Sequence, residues 1–267
     1  HERAVPYVSR LKEEMRLVAR ELEGDREVRA MHWGGGTPTF LGTEGLADLM
    51  RAVKSEFTLD PQGEYSIEID PRRVDQDSFG ALAEMGFNRA SFGVQDFDAE
   101  VQRAVNRVQS YEQTFASLQA ARRAGFSSLN LDLIFGLPHQ TPERFQQTLD
   151  KVIACDPDRI ALYGYAHLPE LFKPQRRIIA ADLPAPEVKM ELLLAAIERL
   201  GEAGYVYIGM DHFAKPTDEL AIALRQGRLQ RDFQGYSSGD NDTIGLGLSA
   251  ISSIGPAYGQ NQKVLDD

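Results

Sequence analysis

Apolar positions recur along the chain at two periods. Tyr7, Leu11, Met15, Val18 and Leu22 are spaced by three and four, which sets them on one stripe and predicts an amphipathic helix over residues 5–23. Short β-prone runs follow at 28–33, 65–69, 88–94, 129–134, 159–165 and 205–208. Helical stretches separate them. One follows Thr43, with Leu46, Leu49, Val53 and Phe57 on one face; the others cover 74–85, 111–123, 141–154 and 186–203. Several ends are marked locally: Thr141 reads as an N-cap with Pro142 at the first helical position, and Gly86, Gly125 and Gly204 stand where helices should stop. Strands separated by single helices imply parallel pairing through right-handed crossovers, hence an α/β fold, either a barrel or an open doubly wound sheet.

The strand ends favour the barrel. The runs close on Gly34-Gly35-Gly36-Thr37, on Glu68-Ile69-Asp70-Pro71, on Gly93-Val94-Gln95-Asp96, on Asp132 through Pro138, and on Tyr165-Ala166-His167. Working residues of a (β/α) barrel gather at the C-terminal ends of several strands around one mouth. A doubly wound nucleotide-binding sheet concentrates its signal in one G-x-G-x-x-G turn, and GGGTP lacks that spacing. Three successive glycines leave backbone N–H and C=O groups uncovered, so the polar edge of a ligand can lie against the main chain; a tight turn with no ligand explains the same three residues.

Composition narrows the function classes. The 267 residues are 42% hydrophobic, enough to bury a large core as one domain. A formal charge of -11, from 40 acidic against 29 basic residues, argues against nucleic acid or an anionic membrane as partner. No apolar run approaches the ~20 residues of a membrane span and no signal peptide opens the chain, so a cytoplasmic protein, as a monomer, is expected. The single cysteine, Cys155, excludes an internal disulfide and cannot alone hold zinc or an iron–sulfur cluster; its place before Asp156-Pro157 suggests a buried helix end. Read without further context, Glu68 and Asp132 would pair with an arginine of a neighbouring strand; for Gln95 the alternative is to satisfy a loop carbonyl, for Arg107 a solvated cation and for Ile251 simple core. His32 and Trp33 read as a packed pair and receive no role.

The strand-end GGTP resembles the motif with which radical S-adenosylmethionine (SAM) enzymes contact the amino group of SAM. The resemblance extends over almost the whole chain. HWGGGTPTFL, YSIEIDPR, GFNRASFGVQDFD, VQRAVNRVQ, LDLIFGLPHQTPERF, PDRIALYGYAHLP, YIGMDHFA, RDFQGY and GLGLSAIS together are similar to the family of oxygen-independent coproporphyrinogen III oxidases (coproporphyrinogen dehydrogenases). The haem-chaperone branch of the superfamily usually carries a GRxH-like segment at Asn106-Arg107 and lacks GMDHFA and FQGY.

The resemblance implies a TIM-like barrel and an anaerobic step of haem synthesis, in which two propionates of coproporphyrinogen III become vinyl groups of protoporphyrinogen IX with loss of CO2. It implies a reduced [4Fe-4S] cluster, fed by an electron donor, that splits SAM to a 5'-deoxyadenosyl radical. Carried over residue by residue, Gly35, Glu68 and Ile251 would contact the cluster-bound SAM, and Gly36, Thr37, Gln95, Arg107, Asp132 and Ala166 a second SAM. For the four propionates, Lys173, Arg176 and Arg177 form the local basic patch, with His167 and His212 as further candidates. The family's CxxxCxxC loop and its first barrel strand would precede this chain and a helical C-terminal domain would follow it. The expectation is therefore a barrel core over 1–267, truncated at both ends, with no metal ligands of its own and inactive alone. Two alternatives are a haem-binding chaperone of the same superfamily and an unrelated barrel hydrolase using Glu68, Asp70 and Asp132 as acid and base.

Overall fold

Helices and strands alternate from the first described turn. The computed structural model describes residues 4–22, 24, 26–232, 235–237 and 242–263; Phe233 and Gln234 of the RDFQGY segment lie outside them. In chain order the elements are α1 Ala4–Glu21, β1 Glu27–Trp33, α2 Gly42–Glu56, β2 Thr58–Ile69, α3 Ser78–Met85, β3 Arg89–Gln95, α4 Ala99–Ala104, α5 Tyr111–Arg123, β4 Ser128–Phe135, α6 Pro142–Ala154, β5 Arg159–Gly164, α7 Pro186–Glu202, β6 Val206–Gly209, β7 His212–Ala214, α8 Glu219–Arg225, β8 Gln230–Asp232, β9 Gly235–Ser237, β10 Ile251–Ile254 and β11 Ala257–Gln260. The marked ends act as read: Thr141 Oγ1 accepts from Arg144 N ahead of Pro142, and Gly86, Gly125 and Gly204 all take positive φ.

The chain forms two compact units. The larger, 32–39 with 66–238, holds the C-terminal ends of β1 and β2 and a sheet ordered β1-β2-β3-β4-β5-β7-β6. β2, β3, β4 and β5 run parallel, with Glu68 opposite Ser91 and Asp132 opposite both Gly93 and Ala161. Alternation gives these strands two unlike faces. Ile67, Ile69, Ala90, Phe92, Val94, Leu129, Leu131 and Leu133 are buried, together with Leu118 and Ala121 of α5, Phe145, Leu149 and Val152 of α6, and Leu192, Ala196 and Leu200 of α7. Phe79 of α3 packs tilted against Phe92 and meets Phe126 edge-on. Each large side chain so buried contributes roughly 1.5–3 kcal/mol. The opposite face carries Ser66, Glu68, Ser91, Asn130 and Asp132, all half-buried. A parallel sheet covered on both faces would read as continuous apolar runs, so this polar face is where the sheet departs from a purely structural pattern.

One expectation is corrected. The strands at 159–165 and 205–208 do not pair in parallel: β7, three residues long, lies between β5 and β6 and is antiparallel to both. A three-residue strand spans too few positions to show a period. The smaller unit contains α1, α2, the first parts of β1 and β2, and the β10–β11 hairpin. Met15 and Ala19 of α1 are buried with Leu46, Leu49, Met50 and Val53 of α2, and Lys12 pairs with Asp48. Glu14 fastens the last described segment to α1, accepting from Gly247 N at 2.9 Å and Asn261 Nδ2 at 2.7 Å. No helix among the described residues is long and apolar enough to cross a membrane.

Candidate functional site

The polar face begins at the end of β1. His32 Nε2 lies 3.2 Å from Glu68 Oε1, and His32 Nδ1 lies 2.8 Å from Ser66 Oγ. The pair occupies the space above Gly34, where a Cβ would collide with the Glu68 carboxyl and come within 2.6 Å of His32 Nε2. Gly35, at φ +80°, and Gly36 differ: nothing lies within 4 Å of a Cβ built on either, so their backbone is open. Thr37 follows, half-buried. The first glycine is thus required by protein neighbours, and the next two leave main chain uncovered.

Across the sheet, Asp132 sits in a hydrogen-bonded cluster. Ser91 Oγ donates to its Oδ2 at 2.8 Å and Asn130 Nδ2 to its Oδ1 at 2.7 Å. Burial pushes its carboxyl up to about 6, with Glu68 adding to the rise, against the lowering effect of the two donors. Arg107, from the turn after α4, donates from Nη2 to Gly93 O at 2.7 Å and lies 3.9 Å from Asp70 Oδ1. Its buried Nε has no partner. A side chain at 93 would meet Arg107 Nη2 at 2.9 Å, so this glycine makes room for the guanidinium. Gln95 closes β3 in the left-handed region at φ +70°, where the register with β4 shifts. Among the described residues neither Glu68 nor Asp132 forms an ion pair with an arginine, and Glu68 meets His32 instead. Arg107 is half-buried and not a solvated cation.

A family profile described as the Radical SAM superfamily matches residues 2–152. The chain belongs to the radical SAM superfamily. It is 53% identical over 99% of its length to the oxygen-independent coproporphyrinogen III oxidase of Pseudomonas aeruginosa and 50% identical over 98% to that of Escherichia coli K12. It covers 58% of each of these proteins, so it spans under three fifths of the curated relatives it matches. A solved structure of coproporphyrinogen III oxidase from Escherichia coli, described as a radical SAM enzyme, superposes with a TM-score of 0.95 at 50% identity, covering 98% of this chain and 60% of that one. The archaeal Elp3 of Methanocaldococcus infernus shares the fold alone, with a TM-score of 0.51 at 17% identity over 72% of this chain and 49% of that one. The parallel strands of the larger unit are accordingly part of a radical SAM half-barrel.

Superfamily membership implies SAM and a [4Fe-4S] cluster. The residues fit SAM: uncovered glycine backbone beside Glu68 suits an amino group or ribose, Asp132 offers an anion to a sulfonium, and the buried Arg107 offers an unpartnered N–H to a carboxylate. They do not fit a cluster. The one cysteine, Cys155, is buried at the C-cap of α6, and burial pushes its thiol up to about 11, far from a thiolate ligand. Among the described residues no group of His, Cys, Asp and Glu is arranged to hold a metal ion.

The remaining candidates lie beyond β5 or elsewhere. Ala166 is exposed, its carbonyl accepting from Gln175 Nε2 at 3.1 Å, and His167 Nδ1 meets Tyr165 Oη at 3.1 Å. Lys173, Arg176 and Arg177 form an exposed 3-10 turn in which Arg176 is bonded to Pro169 O. His212 stands on the row of Asp132, through Ala161, roughly 10 Å away by strand spacing. Its ring meets Tyr163 and Tyr236 edge-on, its buried Nδ1 has no partner, and burial lowers its pKa, which favours the neutral ring. Burial, then Asp132, Asp211 and Glu68, push the Tyr163 phenol up to about 12. Ile251 is a half-buried residue of β10 in the smaller unit. Sequence reasoning missed His32, Ser91, Asn130 and Tyr163. Trp33 does pack, edge-on to Phe87 at 5.1 Å, but without His32. The signal was available in strand alternation, which sends neighbours to opposite faces.

Proposed function

We propose that this chain is the SAM-binding barrel core of an oxygen-independent coproporphyrinogen III oxidase, acting in the cytoplasm in haem biosynthesis on coproporphyrinogen III to give protoporphyrinogen IX. The observation that carries the reading is the polar sheet face, where Glu68 lies beside the glycine run and Asp132 shares its face, in a chain half identical to enzymes of that name. A [4Fe-4S] cluster, which the residues of this chain do not fit, would together with SAM supply the radical chemistry.

The chain's own part is binding and orientation. Gly35 and Glu68 hold one SAM; Gly36, Thr37, Gln95, Arg107, Asp132 and Ala166 hold a second. Lys173, Arg176 and Arg177 are exposed cations available to propionates. His167 and His212 complete the substrate set, and the buried, neutral ring of His212 suits it to accept from a pyrrole N–H better than to balance a carboxylate. The protein works as a monomer, receives electrons from a separate donor and binds no nucleic acid.

The test is a chimera in which this chain replaces the matching segment of the Pseudomonas aeruginosa enzyme. Anaerobic conversion of coproporphyrinogen III, read as protoporphyrin fluorescence after oxidation, is the expected result. Tight haem binding without turnover would move the assignment to a chaperone.

A further inference from the structure

Two side chains meet over Gly34, and only Glu68 belongs to the SAM set proposed above. A carboxylate oxygen only accepts, so the His32 Nε2 that faces Glu68 Oε1 at 3.2 Å carries the hydrogen. Nδ1, in the neutral ring, then accepts from Ser66 Oγ at 2.8 Å. The relay from Ser66 through His32 ends on one oxygen of Glu68. The other, Oε2, takes no hydrogen bond from a described residue. The backbone beneath is cleared for this arrangement, since any side chain at 34 would strike both partners, and the open backbone of Gly35 and Gly36 begins one residue further on.

We propose that His32 is a positioning residue for SAM recognition: it pins Oε1 of Glu68 and so reserves Oε2 for the ligand lying along Gly35 and Gly36. This rests on the SAM reading of Glu68 given above and adds what holds that carboxylate in place. Trp33 shows why the residue has no core duty to perform. It faces the other side of the sheet and packs on Phe87, which leaves His32 on the polar face. The His32 and Glu68 side chains are 38% and 37% exposed, so solvent screens the pair and the effect of losing it is a modest factor.

The experiment is calorimetric titration of SAM into the full chain and its variants. His32→Ala is expected to weaken binding about fivefold. His32→Gln, whose amide nitrogen reaches the place of Nε2, keeps affinity within about twofold of the parent, whereas His32→Asn, which imitates Nδ1, behaves like His32→Ala. Glu68→Gln weakens binding at least as much as His32→Ala. The Gln and Asn variants differ by one methylene, so a contrast between them reports the donor and not the fold, and urea midpoints confirm that both are folded. Parent-like affinity in His32→Ala, with Glu68→Gln weakened, overturns the inference and leaves the SAM reading standing. Equal affinity of the Gln and Asn variants also overturns it. Parent-like affinity in Glu68→Gln, or no uptake of SAM by the parent chain, overturns the reading of Glu68 and the inference with it.

Discussion

Asp132 is pulled in two directions by its surroundings. Burial raises its pKa from 3.8 to about 6 despite hydrogen bonds from Ser91 and Asn130 that favour the anion. A carboxyl whose folded pKa exceeds its unfolded one binds more protons when folded, so its charge costs stability as pH rises from 3.8 through about 6. The full shift corresponds to about 3 kcal/mol, and partial exposure reduces this to about 2 kcal/mol. Asp132→Asn is therefore expected to be more stable than the parent by about 2 kcal/mol at pH 8, the gain shrinking below pH 6 and gone near pH 4 in urea melts. A gain independent of pH would refute the burial account. Asp132 and Glu68 were legible as candidates because the family resemblance carries SAM contacts onto them; their charge alone read as an ion pair with an arginine. Ser91 and Asn130 were not, since small polar residues in strands attract no notice until their register sets them beside a carboxylate. His32 was misread because an aromatic neighbour suggested packing, although adjacent strand residues cannot share a face.

Capping chemistry sets the bounds of the helices. Ser110 and Gln113 form a reciprocal capping box at the start of α5, and Thr141 caps α6. Thr141→Ala removes the acceptor for Arg144 N and is expected to lower stability by about 1 kcal/mol, measurable as a urea midpoint shift at constant slope. These signals are local, which is why 111–123 was read to the residue and 141–154 to within one. Where non-local contacts decide, the reading slipped. α3 starts at Ser78 instead of 74 because Asp75 holds a turn, its Oδ1 accepting from Asp77 N and its carbonyl from Ser78 N. β2 starts at Thr58, ahead of the expected 65, and runs through Pro61 and Gly63. Tyr65 folds back over Gly63 and sets its single O–H between Asp60 O at 2.7 Å and Val28 O at 2.8 Å, and a Cβ at 63 would block it. α4, α8 and β7 are too short for periodicity to register.

At the scale of the whole molecule, the charge of -11 acts on every element at once. Self-repulsion of that size destabilises the folded state, and most exposed ion pairs, such as Arg199–Asp150 and Lys215–Asp156, return little. Raising NaCl from about 20 to about 200 mM at pH 7.5 is expected to raise Tm by about 2–4 °C. Near the isoelectric point of about 5.0 the same step should change Tm far less. The parallel order of β2 to β5 followed from the alternation of elements, whereas the place of β7 did not, because sheet order at that edge depends on partners far apart in the chain. That insertion bears on synthesis. β5 is complete at Gly164, but the strand that covers its outer edge ends at Ala214, and Leu162 N finds its acceptor only at Asp211 O. At about 5–20 residues per second, a ribosome leaves that edge bare for several seconds while α7 and β6 emerge. During that interval the nascent chain offers any extended neighbour a row of unmet N–H and C=O groups, which its own hairpin fills only on arrival.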